Sequence, residues 1–179
     1  MKKKSFVMVL ALVLVFAVAV GGVVAWLTDK TGSVVNTFTV GDINIELKES
    51  ENLDLKMVPG NTITKDPKVT VKANSEACWL FVKVDKSANF DTFMTYAMAD
   101  GWKELAGENG VYYREVNAST DNQDFAVLKD NHVTVNGEVT KAQLEAVKTA
   151  NQPTLTFTAY AVQKDNVGSA ADAWKIANP

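Results

Sequence analysis

Apolar and polar residues alternate with a period of two along most of the chain, the spacing of strands with one buried face. Ile43, Ile45 and Leu47 alternate with Asp42, Asn44, Glu46 and Lys48, and Val69, Val71 and Ala73 alternate with Lys68, Thr70 and Lys72. The pattern returns near the end, where Leu155, Phe157, Ala159 and Ala161 alternate with Thr154, Thr156, Thr158 and Tyr160. Residues 77–84, Ala-Cys-Trp-Leu-Phe-Val-Lys-Val, are almost continuously apolar and read as a buried strand. Weaker strand patterns cover Met94–Met98, Val111–Val116, Asp124–Leu128 and His132–Val135. Seven or eight short strands with turn residues between them predict an all-β chain folded as an antiparallel sandwich.

Two helical pieces interrupt the strands. Thr140-Lys141-Ala142-Gln143 is a capping box, with Val139 and Leu144 placed for a hydrophobic staple, and predicts a helix to about Thr149. Ser169-Ala170-Ala171-Asp172 repeats the signature ahead of Ala173, Trp174 and Ile176, so a short helix should close the chain. Neither piece carries a chemically suggestive cluster.

The first residues follow a different logic. Lys2, Lys3 and Lys4 precede an unbroken apolar run from Phe6 to Val20, and Gly21-Gly22-Val23-Val24-Ala25 offers small residues to a signal peptidase. This predicts a signal helix over residues 1–25, cleaved between Ala25 and Trp26. Phe6 to Leu27 is also long enough to cross roughly 30 Å of hydrocarbon, so an uncleaved signal is the one route to membrane attachment. After cleavage 154 of the 179 residues remain, enough for one core and one domain, residues 41–179 with an arm of residues 26–40 before it.

Within that arm the apolar phase flips. Val34, Phe38 and Val40 stand at even positions and Ile43, Ile45 and Leu47 at odd ones, so one strand cannot hold both sets on one face. Either a bulge at Gly41 restores continuity, or Gly41 is a hinge between the arm and the first core strand.

Charge and reactive residues narrow the function. Loss of the signal removes three lysines and no acids, which moves the net charge from −3 to −6, and no basic run remains to hold nucleic acid. Cys78 is the only cysteine, so the chain has no internal disulfide, and its apolar surroundings read as a structural thiol rather than a nucleophile. His132 is the only histidine, which leaves no two-histidine zinc motif. Asp121, Asn122 and Asp124 could offer oxygens to calcium but read as a solvated turn, and Asn117-Ala118-Ser119 is a coincidental sequon. No catalytic, cofactor or metal residue is predicted. Trp102, with Tyr112 and Tyr113 after it, would make a carbohydrate platform if exposed, or a lid on the core if buried.

Three stretches resemble a known family. Gly21-Gly22, Ala25-Trp26-Leu27-Thr28-Asp29 and residues 36–47 are similar to the signal and mature start of proteins processed by the SipW-type signal peptidase, a family that includes TasA fibre proteins and camelysins. Residues 58–66, a proline-glycine turn leading into a strand, and Ala159-Tyr160-Ala161-Val162-Gln163 with Ala170-Ala171-Asp172-Ala173-Trp174 continue the likeness. The resemblance implies a jelly-roll-like sandwich exported by Gram-positive bacteria and assembled as a biofilm matrix or surface fibre subunit. It also implies donor-strand assembly, in which the arm of one subunit completes a sheet of the next. Residue by residue, Val34, Val35, Phe38 and Val40 would anchor that arm and Gly41 would be its hinge. The implied partners are further copies of the chain, related matrix proteins and the processing peptidase, without nucleic acid and without a cofactor. A carbohydrate-binding module is the alternative, and a camelysin-like metalloprotease the less supported one.

Overall fold

A computed structural model describes residues 42–50, 56–147 and 151–179. The predicted signal with its Ala25–Trp26 cleavage point, the predicted arm anchors Val34, Val35, Phe38 and Val40, and the predicted hinge Gly41 lie outside the described residues.

The described chain forms β1 (Ile45–Lys48), β2 (Thr62–Thr64), β3 (Lys68–Val71) and β4 (Cys78–Lys86), then a short helix α1 (Phe90–Phe93) that leads straight into β5 (Met94–Thr95). There follow β6 (Lys103–Glu104), β7 (Val111–Val116), β8 (Gln123–Ala126), a 3-10 turn at Lys129–Asn131 and β9 (His132–Val135). Helix α2 (Lys141–Val147), β10 (Leu155–Gln163) and helix α3 (Ala170–Ala177) complete it.

Among the described residues all strand pairs are antiparallel. One layer has the order β10-β4-β7-β6. The other consists of two three-stranded ladders, β1-β3-β8 and β2-β9-β5. They follow one another along a common strand pair, because the Lys65 N–H donates to the Asn131 carbonyl at 2.8 Å and the Val127 N–H to the Pro67 carbonyl at 2.9 Å. The 3-10 turn absorbs the change of register between them, with Asp130 and Asn131 at φ of 53° and 56°, a conformation these two residue types tolerate.

β4 explains the continuous apolar run. Leu80, Val82 and Val84 point between the layers with Phe157, Ala159, Val69, Val71 and Ile45, while Trp79 and Phe81 point the other way. A strand covered on both faces has no polar side to alternate with. The second cover is α3, whose Trp174 ring lies 5.3 Å from Phe81 and 5.1 Å from Tyr160.

Both predicted caps form. Thr140 Oγ1 accepts from the Gln143 N–H while Gln143 Oε1 accepts from the Thr140 N–H, and Ser169 Oγ accepts from the Asp172 N–H. Among the described residues three helices stand where one or two were expected. The third, α1, takes the residues just ahead of the predicted strand Met94–Met98, which shrinks to Met94–Thr95 and a single bridge from Met98 to Leu128.

Candidate functional site

The sequence candidates inside the sandwich fall into structural roles. Burial pushes the Cys78 thiol up to about 12, so no thiolate is present near neutrality. His132 opens β9, with Nδ1 2.7 Å from the Asp130 carbonyl. Asp124 accepts from Lys68 and Thr70, at 2.8 and 2.6 Å, and Asn122 accepts from the Ala73 N–H. These oxygens are engaged in tying down neighbouring strands. Trp102 is buried, and its Nε1–H donates to the Ala126 carbonyl at 2.8 Å, so it is the lid and not a platform. Beneath it the Arg114 guanidinium stacks 4.1 Å from the Phe125 ring centroid and 5.3 Å from that of Trp102.

What remains is the edge of the first layer. The Ser87 N–H donates to the Thr154 carbonyl and the Lys164 N–H to the Ala77 carbonyl, which fixes the even-numbered residues of β10 as those bonded to β4. The odd-numbered ones, Leu155, Phe157, Ala159 and Ala161, therefore turn their N–H and C=O groups to the other side. Among the described residues no strand pairs with β10 there. β1 runs alongside, with Cα atoms within 8 Å of β10, but spends its bonds on β3.

Edge strands are ordinarily blunted by charge, proline or brevity. Among the described edges, β6 is two charged, exposed residues, β5 is two residues, β2 is three, and β1 carries Glu46 and Lys48. β8 carries Asp124 and has its Ala126 carbonyl capped by Trp102. β10, Leu-Thr-Phe-Thr-Ala-Tyr-Ala-Val-Gln, is nine residues with no charge, no proline and no glycine.

Where β10 begins, the two layers part. An apolar cleft of about 450 Å³ opens there between the edges of β2 and β10, lined by Met57, Ile63, Phe90, Met94, Val133 and Leu155. Its one charged lining residue, Lys65, pairs with Glu49 at 2.8 Å and lies 5.4 Å from the Phe157 ring centroid. Phe90 arrives through α1, which sequence reasoning missed.

The cleft and the start of the first strand lie at opposite poles of the domain. The Asp42 carbonyl accepts from the Glu76 N–H, beside Ala77 and the end of β10, whereas the cleft sits at the beginning of β10. Nine residues separate them, roughly 30 Å of strand.

Residues 1–85 match the family described as Peptidase_M73, camelysin metallo-endopeptidase. The match takes in the predicted signal and arm, β1 to β3 and most of β4, and bears out the resemblance to the TasA and camelysin family. No curated protein and no solved structure matches the chain. As to the metal in that description, the single imidazole is His132, and among the described residues no three His, Cys, Asp or Glu side chains are grouped to hold an ion. Among the described residues no helix is long and apolar enough to cross a membrane.

Proposed function

We propose that this camelysin-type chain is an exported, non-catalytic structural subunit that assembles outside the cell, as in a biofilm matrix, by adding a strand from one copy to the sheet of the next. The observation that carries the reading is the unblunted edge of β10 with an apolar cleft at its start. Such an edge offers a row of backbone donors and acceptors, and the cleft offers side-chain pockets, the two requirements of strand addition.

The occupant is the arm of a second copy, residues 26–40, whose Val34, Phe38 and Val40 alternate as a half-buried strand does. In sequence it precedes Asp42, which lies at the pole opposite the cleft, so one subunit's arm would meet the next subunit's cleft head to tail. That contact uses different surfaces on the two partners, the kind that builds an open filament when the rotation between copies closes no ring. Burying Val34, Val35, Phe38 and Val40 contributes on the order of 6 to 12 kcal/mol, about the cost of ordering eight residues. Ladder hydrogen bonds and contact between subunit bodies then decide the affinity.

Deletion of residues 26–40 tests this reading. The truncated protein should remain folded by circular dichroism and form no filaments in electron micrographs. Filaments that persist without the arm sink the proposal, and a truncated chain that melts far lower shows the arm to be an integral strand. The protease named in the family description has its own test: His132→Ala should leave any proteolysis by the purified protein unchanged.

A further inference from the structure

We infer that Asn109 is a site of spontaneous covalent modification, converting to aspartate and isoaspartate through a cyclic imide, while the chemically identical dipeptide at Asn136 is protected. The chain contains two Asn-Gly pairs, Asn109-Gly110 and Asn136-Gly137. In each, the glycine lacks a side chain to shield its amide nitrogen, so that nitrogen can attack the asparagine side-chain carbonyl. The new bond joins Gly110 N to Asn109 Cγ, the Cγ–Nδ2 bond breaks, and ammonia leaves carrying the glycine amide proton. Water then opens the imide at either carbonyl, and no other reagent is needed.

The fold separates the two sites. Asn109 is exposed in the β6–β7 turn, its side chain makes no hydrogen bond among the described residues, and the Gly110 N–H donates to none of them. Asn136 Nδ2 instead donates to the Asp91 and Thr92 carbonyls, both at 3.0 Å, which holds the leaving group and fixes the rotamer. Releasing two such bonds before attack should slow Asn136 by about tenfold or more.

Sequence change cannot easily remove the hazard at the glycine. Gly110 sits at φ +73°, and a Cβ there would stand 2.6 Å from the Val84 carbonyl oxygen. Its own carbonyl accepts from the Val84 N–H at 2.8 Å, so the same residue that anchors the turn to β4 exposes its neighbour to attack. The product adds a carboxylate beside Glu108. β6 and β10 are opposite edges of one layer, so the change should leave strand addition untouched.

The test is ageing of the full folded protein at mildly alkaline pH, where the attacking nitrogen is more readily deprotonated, followed by peptide mapping. The Asn109 peptide should acquire the mass of an amide-to-acid exchange and become a substrate for an isoaspartate methyltransferase, ahead of the Asn136 peptide by about tenfold or more. In urea the two peptides should convert at similar rates, and Asn109→Gln should abolish the early product. Equal rates in the folded protein, or an Asn109 that stays intact while Asn136 converts, overturn the inference.

Discussion

Replacing Leu155 by lysine places a cation at the mouth of the cleft, where β10 begins. Leu155 is only partly buried, and its cross-strand neighbour is Lys86, while Lys65 lines the same cleft. In the isolated subunit the new side chain can lay its stem along the cleft and keep its ammonium in water. The cost to the monomer should therefore be about 1 kcal/mol, a few degrees in Tm. An added strand would close that escape. Assembly then loses a leucine's burial, about 1.5 to 3 kcal/mol, and must desolvate an ammonium without a partner, which costs several kcal/mol more. A total on the order of 5 kcal/mol weakens association by about a thousandfold or more. Sedimentation velocity and electron microscopy, at a concentration where the natural chain forms filaments, read the loss. Glu104→Lys on the opposite edge is the matched control and should polymerise normally. Filaments of Leu155→Lys at the natural threshold, with an unchanged melting curve, would show that the β10 edge and its cleft take no part in assembly.

Other outcomes follow from the interior and from the surface charges. Trp102→Ala should destabilise the domain by about 3 to 5 kcal/mol in denaturant titrations, and by uncovering the Ala126 carbonyl it should promote association through β8, seen as aggregation on warming. The Cys78 thiol should be silent to a disulfide reagent at pH 8 and react only after unfolding, since burial holds it protonated. The Glu46 carboxyl is held below its usual value by hydrogen bonds from Lys48 and Lys72, and Asp124 by those from Lys68 and Thr70. Carboxyls lowered by folding contribute stability that is present above the unfolded value, about 4, and is lost as pH falls through the folded one. Tm should be flat from neutrality to about pH 5 and fall below about pH 4, less steeply in high salt because these pairs are exposed.

The parts of the fold legible in the sequence are those where one face decides everything. The two caps, at Thr140 and Ser169, are local chemistry and formed as read. The strands around Val69 and Leu155 show a two-residue period in sequence, and its apolar members Val69, Val71, Phe157, Ala159 and Ala161 are buried in the core between the layers. Residues 77–84 read as a buried strand, but only the structure shows that α3 is what covers the second face of β4. β6 escaped notice because Lys103 and Glu104 are both exposed, so no period exists to detect. Helix α1 escaped because four residues carry too little pattern, and Asn89 makes no side-chain cap to announce it. The edge of β10 was invisible for another reason: a free edge is a property of which strands are neighbours, and a period of two records only which side chains are inside. The arm anchors and the Gly41 hinge were chosen from phase alone, and they lie outside the described residues.

The central position of β4 bears on when the fold can form. Its partner β10 lies far along the chain, Cys78 opposite Gln163 and Lys86 opposite Leu155, and the helix that covers its outer face, α3, comes later still. Contacts so distant in sequence close slowly, because a long loop must be ordered before any of them is gained. A chain delivered N-terminus first therefore keeps its most apolar strand unsatisfied until the final residues arrive. While β10 and α3 are still behind, the leading part has no completed core to lock, and it can be threaded as an extended polymer. If the chain is exported as proposed, this order of elements would delay completion of the core until β10 and α3 have followed.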